Sequence, residues 1–367
     1  MKIAIFELTT PNHSSMVDNW IRICELNKWE YTLFLSPEVS AKMSGIKVDN
    51  IVLVSSFKDI FKSHRELNKH DYILFNTVQS RFITFLMITI FARPNKILSI
   101  HNANSWFQKY SWSKEVFFNY KLRSKVISHI IRLGVKTLRR LILDNVDFVS
   151  VNSVNIKNYI EAEYEFKRPI TVIPFSMKYF DTINSLTNEH LNIVYPGIVD
   201  ENKKDYDLFI ELSTKFPRLK FTLLGKFDKE RNKSLFSRVS QCPNIMTFEN
   251  YIPNSDFTEI MSKADLIFSQ VNVKYWGEIY GESKDSGISY LMSEFSLPLL
   301  VNSDFKNIQC LDDITYKYRS NAEAEEIIKF ILNGDISLSK TRERIKINRK
   351  ELSLCNVSKS INKILGV

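Results

Sequence analysis

At 367 residues, with 44% hydrophobic and 25% charged side chains, the chain is long enough to bury two cores, and its even composition excludes low-complexity, repeat and disordered classes. The four cysteines, Cys24, Cys242, Cys310 and Cys355, are scattered with no pair at metal-ligand spacing, which argues against a disulfide framework and for reduced thiols in a cytoplasmic protein. A formal charge of +9 points to an anionic partner: a nucleic acid, an anionic membrane surface or a phosphorylated substrate.

The opening MKIAIFEL has a strand pattern, too short in its apolar run for a signal peptide and followed by no small-residue cleavage site. A helical stretch at about 15–27 follows. YTLFLS (31–36), IVLVSS (51–56), YILFNT (72–77), KILSIHN (96–102), FVSVNS (148–153) and ITVIPF (170–175) continue the strands. Such short apolar runs suit strands buried on both faces of a parallel sheet. The most apolar segment, FITFLMITIFA (82–92), is about half of what a membrane span needs and reads as a buried helix. From Lys109 to Arg140 nine Lys or Arg stand against one acid, Glu115, with aromatics interleaved.

After the polar stretch 176–190 the pattern begins again. LNIVYPG (191–197), KFTLLG (220–225), IMTFENYI (245–252), DLIFSQ (265–270) and PLLVNS (298–303) alternate with helical stretches at about 204–215, 255–263 and 287–296. Strand-helix alternation run twice predicts an α/β fold of two Rossmann-like domains facing a central cleft. The expected division is 1–185, 186–345 and a helical segment 346–367 that crosses back to the first domain.

No G-x-G-x-x-G follows the first strand and no P-loop is present, which removes the commonest dinucleotide and NTPase signatures. Asp205-Tyr206-Asp207 matches Asp-x-Asp formally, without supporting ligands, and no metal site is expected there. KDSGISYLMSE (284–294) offers free amides at a helix start beside Lys284, a place where an anion docks. The plainer reading is an N-cap supplied by Asp285 or Ser286. In ILSIHNANSWF, His101 falls just past a strand's carboxyl end, where open α/β sheets bind ligands. With Asn102 and Asn104 beside it, such a histidine can polarise or deprotonate a hydroxyl. His13 lies in the first strand-to-helix loop, and Glu7 and Asn76 end strands on the same side.

The succession Gly197, Lys204, Leu224-Gly225, Tyr251-Ile252-Pro253, Ala264-Asp265-Leu266, Gly287, Glu294 and Pro298 resembles the donor domain of GT-B glycosyltransferases, especially the large group around family 4. The resemblance spans 191–303 and reaches the first half only through strand order. It implies a nucleotide-sugar donor, a UDP- or GDP-sugar, on the second domain. Backbone amides of Ser286, Gly287 and Ile288, with Lys204 or Lys284, would meet the diphosphate. Glu294 would take the ribose hydroxyls, and Gly225, Tyr251 and Ile252 would complete the nucleotide site. The acceptor would lie on the first domain with His13, Asn102 and Asn104, and His101 would be catalytic. No metal or other cofactor is required in this reading.

The implied enzyme is a hexosyltransferase acting on a glycan or a polyprenyl-diphosphate-linked acceptor in bacterial surface polysaccharide (capsule or O-antigen) synthesis. Its setting is cytoplasmic, peripheral on the inner face of an anionic membrane; no recognisable nucleic-acid module accompanies the basic stretch. Two departures stand out. The glutamate that the family often carries eight positions before Glu294 is Ser286 here, and the arginine next to the first glycine is replaced near Ile198. Some divergent bacterial members share the Lys-x-Ser-Gly entry. The rival readings are a nucleotide-sugar epimerase or hydrolase on the same fold, and a non-catalytic basic binding protein with a decayed donor site.

Overall fold

The computed structural model describes residues 1–10, 13–43, 51–107, 122–180, 191–201, 204–271, 274–275 and 278–366. The basic, aromatic stretch 108–121 and the Trp276-Gly277 pair lie outside the described residues. The chain forms two units, Met1–Ser176 with Leu354–Val367, and Met177–Ser353.

In the first unit, β1 (Lys2–Glu7), β2 (Glu30–Leu35), β3 (Ile51–Leu53), β4 (Tyr72–Thr77), β5 (Asn95–Ile100), β6 (Phe148–Val151) and β7 (Ile170–Val172) make one parallel sheet in the order β3-β2-β1-β4-β5-β6-β7. Alternation along β1 sends Ala4 and Phe6 into one core layer and Ile3 and Ile5 into the other, as the two-residue period of a strand requires. Phe6 and Phe34 stack at 4.4 Å between centroids; each fully buried phenylalanine stabilises by about 2 kcal/mol. The opposite layer is closed by Val17, Trp20 and Ile21 of the helix Ser14–Leu26 and by Val357 and Ile361 of the last helix, Leu354–Leu365. Ser358 and Asn362 of that last helix donate to Asn27 Oδ1, each at 2.9 Å. The helix Phe82–Phe91 is not buried all round as its composition suggested. It covers one face of an open sheet, so Phe85 and Ile88 are enclosed while Ile83, Ile90 and Phe91 stay exposed.

The second unit repeats the plan with β8 (Asn192–Pro196), β9 (Lys220–Lys226), β10 (Ile245–Phe248), β11 (Leu266–Ser269), β14 (Leu299–Asn302) and β15 (Tyr316–Tyr318), parallel in the order β10-β9-β8-β11-β14-β15. A two-residue antiparallel pair, β12 (Lys274–Tyr275) and β13 (Glu278–Ile279), stands apart.

Strand order reverses once in each sheet, between β1 and β4 and between β8 and β11. A crevice opens at the carboxyl ends of strands at such a point. The β8–β11 seam is pinned at both ends. Asp265 accepts the Asn192 N–H at 3.0 Å and an Arg342 N–H at 3.1 Å, both side chains being 3% exposed. At the far end, Tyr195 Oη accepts the Gln270 N–H at 3.0 Å and donates to the Gln270 carbonyl at 2.8 Å. Burial pushes the Asp265 carboxyl up in pKa although Arg342 opposes it. Removing that cation strands a buried carboxylate. Arg342→Ala is therefore expected to destabilise the second unit by about 3 kcal/mol, read as an earlier midpoint in urea unfolding.

Candidate functional site

The second unit's crevice depends on two glycines. Gly197, at φ +95°, turns the chain out of β8, and a Cβ on Gly225 would stand 2.2 Å from the Gly197 carbonyl oxygen. Only glycine at 225 lets the ends of β8 and β9 approach this closely. Two adjoining cavities open there, of about 540 and 450 Å³, sharing Gly197, Ile198, Arg231 and Phe257. The larger is walled by Gly225, Lys226, Tyr251 and Ile252, the smaller by Lys204, Ser286, Gly287 and Ile288. Each is of a size that holds a drug-sized ligand.

Lys204 is the electrostatic centre of the smaller cavity. Its N–H bonds to the Asp200 carbonyl at 3.0 Å, a turn that carries the chain across to bridge Val271 beyond β11. Nζ donates to the Pro196 carbonyl at 2.6 Å and lies 4.8 Å from the Tyr195 ring centroid. Burial lowers the ammonium to about 7, against the pull of Asp200. Near neutrality the amine is poised between its two states, and an arriving anion would restore the full charge. Arg231, which the sequence reading missed, lines both cavities, with its guanidinium 3.5 Å from Asp200 Oδ2. The available signal was positional: it follows Gly225 by six residues, in the loop leaving a strand's carboxyl end.

The helix Gly287–Phe295 begins on the same wall. Ser286, its extended N-cap, makes no side-chain capping bond, and open space surrounds Gly287 where a side chain would stand. Lys284 departs from expectation. It pairs with Glu278 at 2.6 Å, lies 5.2 Å from the Tyr280 ring centroid and lines neither cavity, because its charge is spent closing its own loop. Glu294 is half-buried two turns along and also lies beyond the lining residues. Asp205 accepts the Asp207 N–H at 2.8 Å and a Gln270 N–H at 3.2 Å, while Asp207 pairs with Arg238. Among the described residues no group of three or more His, Cys, Asp or Glu is placed to hold a metal ion.

In the first unit the β1–β4 register shifts between Phe6 and Glu7, so that Glu7 pairs Thr77 and Asn76 is left out of the ladder. The Asn76 carbonyl instead accepts His101 Nε2–H at 2.9 Å, and Asn152 Nδ2 donates to His101 Nδ1 at 2.8 Å. A carbonyl only accepts, which fixes the tautomer. Both nitrogens are thereby engaged, and burial pushes the imidazole down to about 4. His101 is a neutral, anchored ring, so the expectation that it deprotonates a hydroxyl does not fit its surroundings. Asn104 is 5% exposed and accepts from Tyr164 Oη at 3.2 Å, which turns it inward rather than toward an acceptor. Asn102 accepts the Ser105 N–H at 3.2 Å at the start of the short helix Ala103–Phe107. His13, half-buried, meets Thr77 Oγ1 at 2.8 Å through Nδ1, its ring 6.1 Å from that of His101.

Comparison with solved structures settles the fold. The chain superposes over its full length on HepE from Anabaena, solved with UDP and glucose (14% identity, 99% of that chain, TM-score 0.66). It superposes likewise on the pneumococcal O-GlcNAc transferase GtfA, solved with UDP and GlcNAc (9% identity, 98% of that chain, TM-score 0.66). The fold is that of the GT-B glycosyltransferases. UDP-GlcNAc 2-epimerase from Neisseria meningitidis, solved with UDP-GlcNAc, is also similar (14% identity, all of this chain and 99% of that chain, TM-score 0.56). No protein-family profile matches the chain, and no curated protein matches it by sequence.

The glycines make a direct test of the crevice. Gly225→Ala drives a Cβ into backbone and is expected to cost about 1–3 kcal/mol. Gly287→Ala meets open space and is expected to change stability by less than about 0.5 kcal/mol. Thermal unfolding of the two variants beside the wild type checks the contrast.

Proposed function

We propose that the second unit binds the nucleoside diphosphate of a nucleotide-sugar and that the protein transfers the sugar to a hydroxyl. The observation that carries this reading is Lys204, a buried amine poised near neutrality between its two states, facing a cavity whose other wall is a helix start that Ser286 does not cap with its side chain. The Pro196 carbonyl and the Tyr195 ring meet Nζ without supplying a counter-charge, and a diphosphate would complete the site.

The diphosphate sits among Lys204, Arg231 and the amides of Ser286, Gly287 and Ile288. Arg231 supplies the guanidinium that the family carries beside its first glycine. Tyr251, 74% exposed on the rim of the larger cavity, stacks on the base, with the Ile252 backbone beside it. Glu294, three residues beyond the cavity-lining Leu291 on the same helix, stays outside the cavities and is not needed for this placement. Rate enhancement comes from fixed dipoles and cations that stabilise the departing diphosphate. UDP is the nucleotude of first choice, because HepE and GtfA were both solved with it.

The acceptor in this reading is a glycan or polyprenyl-linked oligosaccharide of a surface polysaccharide, met at a membrane face. Exposed Ile83, Ile90 and Phe91 support such contact, and no helix among the described residues is long and apolar enough to cross a membrane. The epimerase likeness supports a second reading, in which UDP-GlcNAc is consumed with no acceptor.

Calorimetric titration with UDP tests the proposal. The ammonium form of Lys204 binds the diphosphate, and in the free protein it titrates near 7. UDP affinity is therefore expected to fall as pH rises from 7 to 9, with proton uptake on binding. Lys204→Met should weaken binding about tenfold or more and abolish that uptake, while Lys284→Ala leaves affinity unchanged. A wild type that binds no UDP, or binds it with no dependence on Lys204, rejects the reading. Product analysis with UDP-GlcNAc separates transfer from epimerisation.

A further inference from the structure

The second unit also holds Lys204 ready by a device of its own. Tyr195, one residue before the end of β8, is 1% exposed and sends its ring into the core layer of Phe209, Phe221 and Phe268. There its hydroxyl meets backbone groups of two other segments. It accepts the Gln270 N–H at 3.0 Å, and its proton lies between the Gln270 carbonyl at 2.8 Å and the Asp205 carbonyl at 3.2 Å. The Asp205 N–H donates in turn to the Gln270 carbonyl at 2.9 Å. Lys204 and Val271, the next residues along, form an antiparallel bridge. One phenol thus clasps the loop leaving β8 to the end of β11, immediately beside the residue that carries the amine.

The same side chain serves the amine itself. Lys204 Nζ stands 4.8 Å from the Tyr195 ring centroid, within the reach at which a π face attracts an ammonium. A Cβ on Gly197 would stand 3.1 Å from Nζ, so the glycine leaves the space that the amine occupies. Tyr206, its ring centroid 5.1 Å from that of Tyr195, accepts the Asp200 N–H at 3.0 Å and so holds the opposite end of the same turn. Packing alone does not ask for a hydroxyl at 195. Phenylalanine would fill the same place against Phe209 and Phe268, whose ring centroids lie 5.5 Å away, but it would leave the Gln270 N–H without this partner.

We infer that Tyr195 is a positioning residue for donor binding: its hydroxyl fixes the backbone that carries Lys204 and its ring face seats the ammonium, so that the cation is in place before a diphosphate arrives. The assignment rests on the donor-site reading of Lys204. A group ordered in advance loses less freedom on binding, which is how preorganisation raises affinity. The titratable and charged groups around Nζ are Tyr195 from β8 with Tyr206 beside it, Asp200 from the loop after β8, Arg231 from the loop after β9 and Tyr280 across the cavity. Burial holds the amine down at about 7, so opening the clasp, which lets water reach it, moves its titration up.

Lysine-selective NMR of the full chain, with Lys204 assigned through Lys204→Met, reads the amine without a ligand. Tyr195→Phe should raise the Lys204 titration by about one pH unit. It should also weaken UDP binding about tenfold and flatten the fall in affinity between pH 7 and 9, because the ammonium then persists through that range. The double variant Tyr195→Phe, Lys204→Met should bind UDP no more weakly than Lys204→Met alone, since the tyrosine acts through the amine. Tyr318→Phe is the control. This phenol is 3% exposed in the same core layer, with no hydrogen-bond partner for Oη among the described residues, and its loss should leave the Lys204 titration and UDP affinity unchanged. Should Tyr195→Phe fail to fold, hydrogen exchange on the wild type decides: the Asp205 and Gln270 amides should be as protected in the free protein as the core of the sheet. An unmoved Lys204 titration in Tyr195→Phe, additive effects in the double variant, an equal effect of Tyr318→Phe, or fast local exchange of those amides overturns the inference. A wild type that binds no UDP refutes the donor reading, while the Lys204 titration still decides whether Tyr195 positions the amine.

Discussion

A parallel sheet that reverses its strand order must leave a seam where the two strands at the reversal send their connections to opposite faces. Both units are organised around that seam. At its amino end each closes with a carboxylate taking the first N–H of the central strand: Asp71 from Lys2 at 2.7 Å, and Asp265 from Asn192 at 3.0 Å. At its carboxyl end the second unit's seam opens into two adjoining cavities. Gly197, Lys204 and Val271 surround the smaller of these; Glu7, Asn76 and Thr77 end the strands at the matching place in the first unit. The loops can differ in every residue while the seam keeps its place.

The two openings solve opposite electrostatic problems. In the second unit a cation is buried ahead of its counter-ion, and it relaxes by giving up part of its charge. In the first unit an anion is buried beneath four donor groups and aims its remaining field at an imidazole. Neither arrangement follows from net charge. Most of the +9 excess falls in the stretch from Lys109 to Arg140, whereas each of these arrangements depends on one or two buried groups.

The strands were legible because a strand buried on both faces leaves a continuous apolar run, and the run of 72–77 could hardly be read otherwise. The two-residue strands at 274–275 and 278–279, and β15, were not, because segments that short carry too little periodicity to register. Order and spacing singled out Lys204, Gly225 and Ser286-Gly287, which the fold gathers around two adjoining cavities. Lys284 was misplaced for a tertiary reason: Glu278 reaches it only once the loop has folded. The two histidines show the limit most clearly. Both follow a strand's carboxyl end, yet His101 is committed by Asn152, 51 residues away, and by a carbonyl freed by a register shift, while His13 keeps one nitrogen unengaged among the described residues. A residue's position at a strand end is local information; which of its lone pairs is occupied is not.

The departures from the family pattern acquire a physical sense in this light. The sequence lacks the glutamate at 286 and the arginine at 198. A serine at a helix start removes a negative charge that would oppose a diphosphate, so fewer permanent cations are needed on the facing wall. Arg231 enters from the loop after β9, held loosely to Asp200 at 3.5 Å and free to exchange that partner for a stronger one. Lys204, lowered to about 7 by burial, would regain its full charge at neutral pH on meeting an anion. In the proposed reading such a pocket carries little unbalanced charge when empty and changes protonation and ion pairing when a diphosphate fills it, so selectivity would lie in the coupling between ligand and proton rather than in a fixed positive field.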